Sequence, residues 1–223
     1  MVLQLVLAGF FVQGATPLEA ARDRQDRPAL ERFVRESEAA AARAPNDADA
    51  QYRCALASSY LAEVDQELHD KKAARQAAEV GIKAAEKAVA LKPDNAENYR
   101  ILGTLYGQAI TDLISGLTYG PRAKDAIAKA LARAPNSSTV YVARGVGNYY
   151  LPPQLGGGLE SAVADFHKAI ELDPRNAEAY LWLGLSLRKE NKDAEARRAF
   201  EKSLELDPNS IWAKQQLSKT PEK

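Results

Sequence analysis

Nucleophilic chemistry needs a base within reach of a thiol or hydroxyl, and the 223 residues offer one cysteine, Cys54, and two histidines, His69 and His167. The histidines stand apart from any motif-bearing Ser or Cys, so no nucleophile and base can be paired from the sequence. Cys54 follows Arg53, whose charge would lower a thiol pKa if both faced water, although a small cysteine within a helix is more commonly buried and inert. The run Glu63, Asp65, Glu67, His69 and Asp70 has the donor types for a cation but neither zinc nor EF-hand spacing, and reads first as a solvated turn. Residues 151 to 158, Leu-Pro-Pro-Gln-Leu-Gly-Gly-Gly, are rich in glycine without the Gly-Lys-Ser/Thr ending of a phosphate cradle, and Glu160 stands where the following helix would have to receive an anion. This stretch is either a turn lengthened by insertion or one wall of a pocket with Tyr149 and Tyr150. Catalytic residues, metal ligands and cofactors are therefore not expected.

Composition narrows the partner further. Thirty Lys+Arg balance 30 Asp+Glu, so no overall basic excess draws the chain to nucleic acid or to an anionic membrane by field alone. Val, Ile and Thr never form short alternating runs, while alanine is abundant, which excludes strands and favours closely packed helices. Val2 to Val12 is apolar apart from Gln4 and Gly9, and Gln13, Gly14 and Ala15 follow, in the manner of a secretory signal's core and exit. The first basic residue is Arg22, so the basic lead of such a signal is missing. Residues 1–16 are expected to be a signal or disordered segment, with a periplasmic or exported address favoured over the cytoplasm. That run is too short to cross a bilayer and no later stretch approaches the roughly 20 apolar residues required, so no integral span is expected.

The elements that must position any site announce themselves through prolines. Pro45, Pro93, Pro135, Pro174 and Pro208 recur at intervals of 48, 42, 39 and 34, each closing a helical segment. Five residues before them stand Ala40, Ala88, Ala130, Ala169 and Ser203, small as close helix crossing demands. From Ala177 to Ser210 the residues Tyr180, Leu183, Gly184, Leu187, Ala196, Phe200, Ser203 and Pro208 keep fixed offsets. Tyr141, Gly145, Ala162, Phe166, Ala169 and Pro174 repeat them with five added residues, and Tyr99, Leu102, Gly103, Tyr106, Ala123, Ile127 and Ala130 repeat them stretched around Gly116 to Pro121. Tyr52, Gly81, Ala88 and Pro93 mark a more degenerate unit.

This pattern resembles the tetratricopeptide repeat. The resemblance implies an all-α, right-handed α-solenoid of four to five helical hairpins with extended N-terminal units. The expected units are 17–46, 47–94, 95–136, 137–176 and 177–210, with a capping helix at 211–219 and a tail at 220–223. Residues 70 to 208 also resemble, in order of features, the tetratricopeptide proteins associated with TRAP-type transporters and the regulators of microtubule dynamics: Gly81-Ile82, Ala85-Glu86-Lys87-Ala88, a long third unit, then Leu-Pro-Pro and Gly-Gly-Gly. In such folds the first helices line a concave face, which implies a non-enzymatic scaffold binding a protein or peptide there. Carried onto this chain, the concave positions include Arg53, Tyr60, Arg100, Thr104, Tyr149, Tyr150, Trp182, Leu185 and Arg188, an apolar and aromatic floor on which Arg53 and Arg100 would align toward an acidic group. The alternative is an envelope accessory protein that binds a small apolar ligand or partners a TRAP-type transporter.

Overall fold

Five times the chain reads a residue, then Pro, then any residue, then Asp, Asn or Ser, and five times this becomes the same turn. Proline at the second position supplies the φ that such a turn needs. The carbonyl before it accepts the N–H three residues on: Ala44 from Asp47 at 3.1 Å, Lys92 from Asn95 at 3.2 Å, Ala134 from Ser137 at 3.1 Å, Asp173 from Asn176 at 3.1 Å and Asp207 from Ser210 at 3.4 Å. The last residue of each turn then caps a helix through its side-chain oxygen, satisfying N–H groups that the first helical turn leaves open.

The computed structural model describes residues 15–222, so the apolar run Val2 to Val12 lies outside the described residues. Among these residues the chain is helical throughout, with no strand: α1 (Pro17–Asp23), α2 (Arg27–Arg43), α3 (Ala48–Glu67), α4 (Lys71–Leu91), α5 (Ala96–Gln108), α6 (Leu113–Arg133), α7 (Ser138–Tyr150), α8 (Leu159–Leu172), α9 (Ala177–Lys189), α10 (Asp193–Leu206) and α11 (Ile211–Ser218). Successive pairs pack as antiparallel hairpins, and no described helix is long and apolar enough to cross a membrane. The core runs in two blocks, α1 to α6 and α7 to α11, with Tyr99, Ala130 and Val140 buried between them.

Three hairpins close at a glycine of their first helix. A Cβ on Gly184 would sit 2.6 Å from Phe200, on Gly145 2.5 Å from Phe166, and on Gly103 2.7 Å from Ile127. Those distances leave no room for a side chain, so the missing Cβ of the first helix is the slot for the ring or branch of the second. The corresponding positions in α3 and α4 are Ala55 and Ala85, both fully buried, and there a Cβ on Gly81 of α4 would sit 2.8 Å from Ser58 of α3. Ala88, Ala130, Ala169 and Ser203 are buried beneath the proline turns, whereas Ala40 is half-buried and its neighbour Ala41 takes the interior position.

Two insertions differ from the sequence expectation. The stretch around Gly116 to Pro121 is continuous helix: α6 runs 21 residues against 14 for α8 and α10, and Pro121 lies inside it. Its first two turns overshoot α5, roughly 10 Å of helix at 1.5 Å per residue, with little to pack on. Residues 151 to 158 form a 3-10 turn at Pro153–Leu155 and then return, the Gly158 N–H donating to the Asn148 carbonyl at 2.9 Å. Each glycine there is required: Gly156 and Gly158 have φ of 81° and 105°, and a Cβ on Gly157 would meet the Leu151 carbonyl oxygen at 2.5 Å.

The hairpin crossing predicts a cost for filling it. Gly184→Leu forces Phe200 out of its slot and should lower stability by about 1–3 kcal/mol. Thermal melts of the variant check this, and an unchanged midpoint would contradict the crossing.

Candidate functional site

The sequence-predicted contact residues separate into three groups. Helix starts at Ala48, Ala96, Ser138 and Ala177 set a common frame, and in that frame Gln51 occupies the place of Tyr99, Tyr141 and Tyr180. Gln51 is 3% exposed and its Nε2 donates to the Ala41 carbonyl at 3.1 Å, the same ten-residue reach by which Asn98 Nδ2 donates to the Ala88 carbonyl at 3.0 Å. Tyr52, not Arg53, therefore shares a position with Arg100. The expected alignment of Arg53 with Arg100 is corrected accordingly. The Arg53 side chain is 63% exposed with Asp47 3.9 Å away, while Arg100 is mostly covered and its Nε donates to Glu97 at 2.7 Å.

The second group converges. Trp182 sits at the centre of an edge-to-face cluster with ring centroids 5.6 Å from Tyr149, 6.1 Å from Tyr150 and 5.3 Å from Trp212, and it stacks on Phe166 at 6.4 Å. Tyr149 and Tyr150 meet edge-on at 5.0 Å, and the Lys189 ammonium stands 4.3 Å over the Tyr149 ring. Trp182 and Leu185 are buried, Tyr149 is half-buried, and Tyr150 is 70% exposed. The outer face of this cluster is thus a tyrosine ring held from behind by tryptophan.

Arg188 turns away from that cluster toward the chain's end. Its guanidinium donates to the Gln216 carbonyl at 3.1 Å, to Gln216 Oε1 at 2.6 Å and to Thr220 Oγ1 at 3.3 Å, so it fastens α11 onto α9. Tyr60 lies under the Arg22 guanidinium, 4.7 Å from ring to carbon, and Thr104 is half-buried on α5.

Sequence reasoning missed the charged mouth where the two ends of the solenoid meet. Gln25, in the turn after α1, receives a 3.2 Å hydrogen bond from Gln215 of α11 and donates one at 2.7 Å to Glu67 of α3. Around this contact Arg22, Asp23, Glu63, Glu67, Glu178 and Asp207 line a small cavity of about 50 Å³ together with Leu181 and Trp212. Helix α3, at 20 residues against 13 for α5, α7 and α9, carries Glu63 and Glu67 beyond the usual reach of a first helix. Burial raises the Glu63 pKa against the opposing pull of Arg22; burial raises Glu67 as well, with the Glu63 charge adding to it. The supposed cation cluster is dispersed: Asp65 is buried on Arg27 Nε at 2.7 Å, Asp70 caps α4, and Glu63 and Glu67 face the mouth. Among the described residues no grouping of three His, Cys, Asp or Glu could hold a metal ion. Cys54 is 2% exposed and burial pushes its thiol up, away from the reactive thiolate.

Paired helices stacked through glycine slots and proline turns define the class of helical-repeat solenoids. Residues 156–211 match the tetratricopeptide repeat, and the same frame of cap, glycine and proline extends through the preceding units. Its fold is similar to TTC0263, a thermophilic protein of this class from Thermus thermophilus, at 20% identity and a TM-score of 0.62 over 90% of this chain and 96% of that one. Weaker likenesses are MamA from Desulfovibrio magneticus RS-1, at 18% identity and a TM-score of 0.46 over 87% of this chain and 95% of that one. YrrB, described as having an unusual peptide-binding site, is 16% identical with a TM-score of 0.47 over 91% of this chain and 98% of that one. Among curated proteins no sequence matches.

The mouth predicts a pH response. A carboxyl whose pKa is raised by folding binds its proton more tightly in the native state, so its stabilisation is complete below the ordinary glutamate pKa and is lost as pH rises through the raised value. Denaturant midpoints should therefore fall from mildly acidic pH through neutrality, and Glu67→Gln should flatten that slope. A slope identical in wild type and Glu67→Gln would remove Glu67 from the effect.

Proposed function

We propose that this protein is a non-enzymatic scaffold that grips an extended protein or peptide segment at the aromatic end of its concave face. The observation that carries this reading is Tyr150, 70% exposed yet braced by Tyr149, Trp182 and, behind Trp182, Trp212. An aromatic ring preorganised in this way offers large contact area at little entropic cost, which is the character of an interface anchor. Tyr149 and Tyr150 are the direct contacts; Trp182 and Leu185 act from beneath them, and Arg188 fixes the helix that carries them. Thr104, Tyr60 and Arg100 lie farther along the face, where Arg100 is neutralised by Glu97.

Charge sharpens the partner. The mouth near Tyr150 presents Glu63, Glu67 and Glu178 against Arg22 and Arg100, so a segment pairing an apolar side chain with a Lys or Arg suits it better than an acidic one. At the mouth the cavity of about 50 Å³ is far below the roughly 300–1,000 Å³ of small-molecule sites, so an enclosed apolar ligand does not fit there.

Peptides selected from a displayed library against the full chain would test this. Their affinity should drop about tenfold or more for Tyr150→Ala, with far-UV helicity unchanged. Retained affinity in a Tyr149→Ala/Tyr150→Ala variant would place the binding surface elsewhere.

A further inference from the structure

Apart from Leu91 at the end of α4 and Tyr150 of the aromatic cluster, the large apolar side chains that face water among the described residues are gathered on one edge. Leu68 ends α3, Ile110 lies between α5 and α6, Leu113, Ile114 and Leu117 form the overshooting start of α6, and Leu155 tops the loop between α7 and α8. All belong to turns joining the first helix of a hairpin to its second, in three consecutive units. Leu113, Ile114 and Leu117 are 79%, 78% and 72% exposed, so they project singly rather than forming a flat face.

These turns adjoin in space. Gln66 Nε2 donates to the Gln108 carbonyl at 3.2 Å beside Leu68, Arg75 approaches Asp112 at 3.7 Å, and the Lys124 ammonium stands 3.7 Å from where a Gly156 Cβ would be. Charges of both signs face water on this edge, with Asp112 beside Leu113 and Glu160 just past the 151–158 loop exposed as well as the lysines. Asp70 and Asp112 are bonded into the caps of α4 and α6, whereas Lys71, Lys72 and Lys124 are exposed and have no carboxylate within ion-pair distance among the described residues.

We infer that this edge is a peripheral docking surface for an anionic lipid bilayer, the α6 start inserting Leu113, Ile114 and Leu117 between headgroups while Lys71, Lys72 and Lys124 meet lipid phosphates. Protruding aliphatics beside unpaired lysines are the arrangement by which a soluble surface reaches the headgroup and acyl boundary. A two-fold pairing of this edge with itself would bring lysine against lysine, which disfavours a second copy as the cover. The overall balance of charge does not oppose the inference, because the attraction acts within about 10 Å of the local lysines.

Vesicle co-sedimentation with the full chain tests it. Wild type should bind vesicles of phosphatidylcholine mixed with phosphatidylglycerol, and bind phosphatidylcholine alone at least about tenfold less. Leu113→Ser/Ile114→Ser/Leu117→Ser keeps residues 1–14 unchanged and, because the replaced side chains face water, should keep its melting point; it should lose at least about tenfold in binding. Lys71→Gln/Lys72→Gln/Lys124→Gln, which leaves the apolar edge whole, should weaken binding and reduce its salt dependence. Three results would overturn the inference: no sedimentation of wild type with anionic vesicles, equal binding by the serine variant, or a wild-type oligomer that the serine substitutions dissolve.

Discussion

Everything in this molecule depends on a helix lacking a side chain where its partner carries a bulky one. With Gly103, Gly145 and Gly184 set against Ile127, Phe166 and Phe200, two helices approach within a ring's thickness. Three such contacts fix the angle of three hairpins, and the stacking of hairpins then follows from what each leaves apolar. In the α3–α4 hairpin the tight glycine lies on the second helix instead, where a Cβ on Gly81 would meet Ser58 at 2.8 Å. A repeat can thus drift in sequence while its crossing persists.

The proline turn supplies the other half of the regularity. It acts through backbone bonds and a capping oxygen, which need only residue types at fixed offsets, so it was legible in the sequence at every occurrence. The glycine slots were legible for the same reason. What escaped reading was whatever depends on contacts distant in the chain. Tyr52 stands one place later in its helix than Tyr99 does, and the amide bonds that Gln51 and Asn98 make to the preceding helix are not reported by any pattern of hydrophobicity. The meeting of Gln25 with Gln215, 190 residues apart, has no local signature at all. Nor did glycine and proline near 116 to 121 betray continued helix, since their ordinary effect is to interrupt one.

Of the candidate contacts, the aromatic ones were readable and most of the charged ones were not. Tyr149 and Tyr150 on α7 and Trp182 on α9 fall on first helices of successive units, which the repeat frame gives directly. An arginine's role, by contrast, is decided by the carboxylate or carbonyl it finds in three dimensions. Arg188 found the cap and Arg100 found Glu97, so these two arginines, expected on an apolar and aromatic floor, are engaged within the chain.

The two edges of the solenoid differ in freedom for a mechanical reason. A residue added at a proline turn would shift the cap relative to the carbonyl it faces and move every later hairpin. A residue added where a first helix passes to its second changes only how far a helix projects beyond the crossing, because the glycine slot still sets the register. Units two to four have used that freedom: α3 is lengthened, α6 overshoots, and the loop of 151 to 158 returns through three glycines. The additions bring Glu63 and Glu67 to the mouth and aliphatic side chains to the outer edge, so the chemistry peculiar to this chain lies where the repeat constrains it least.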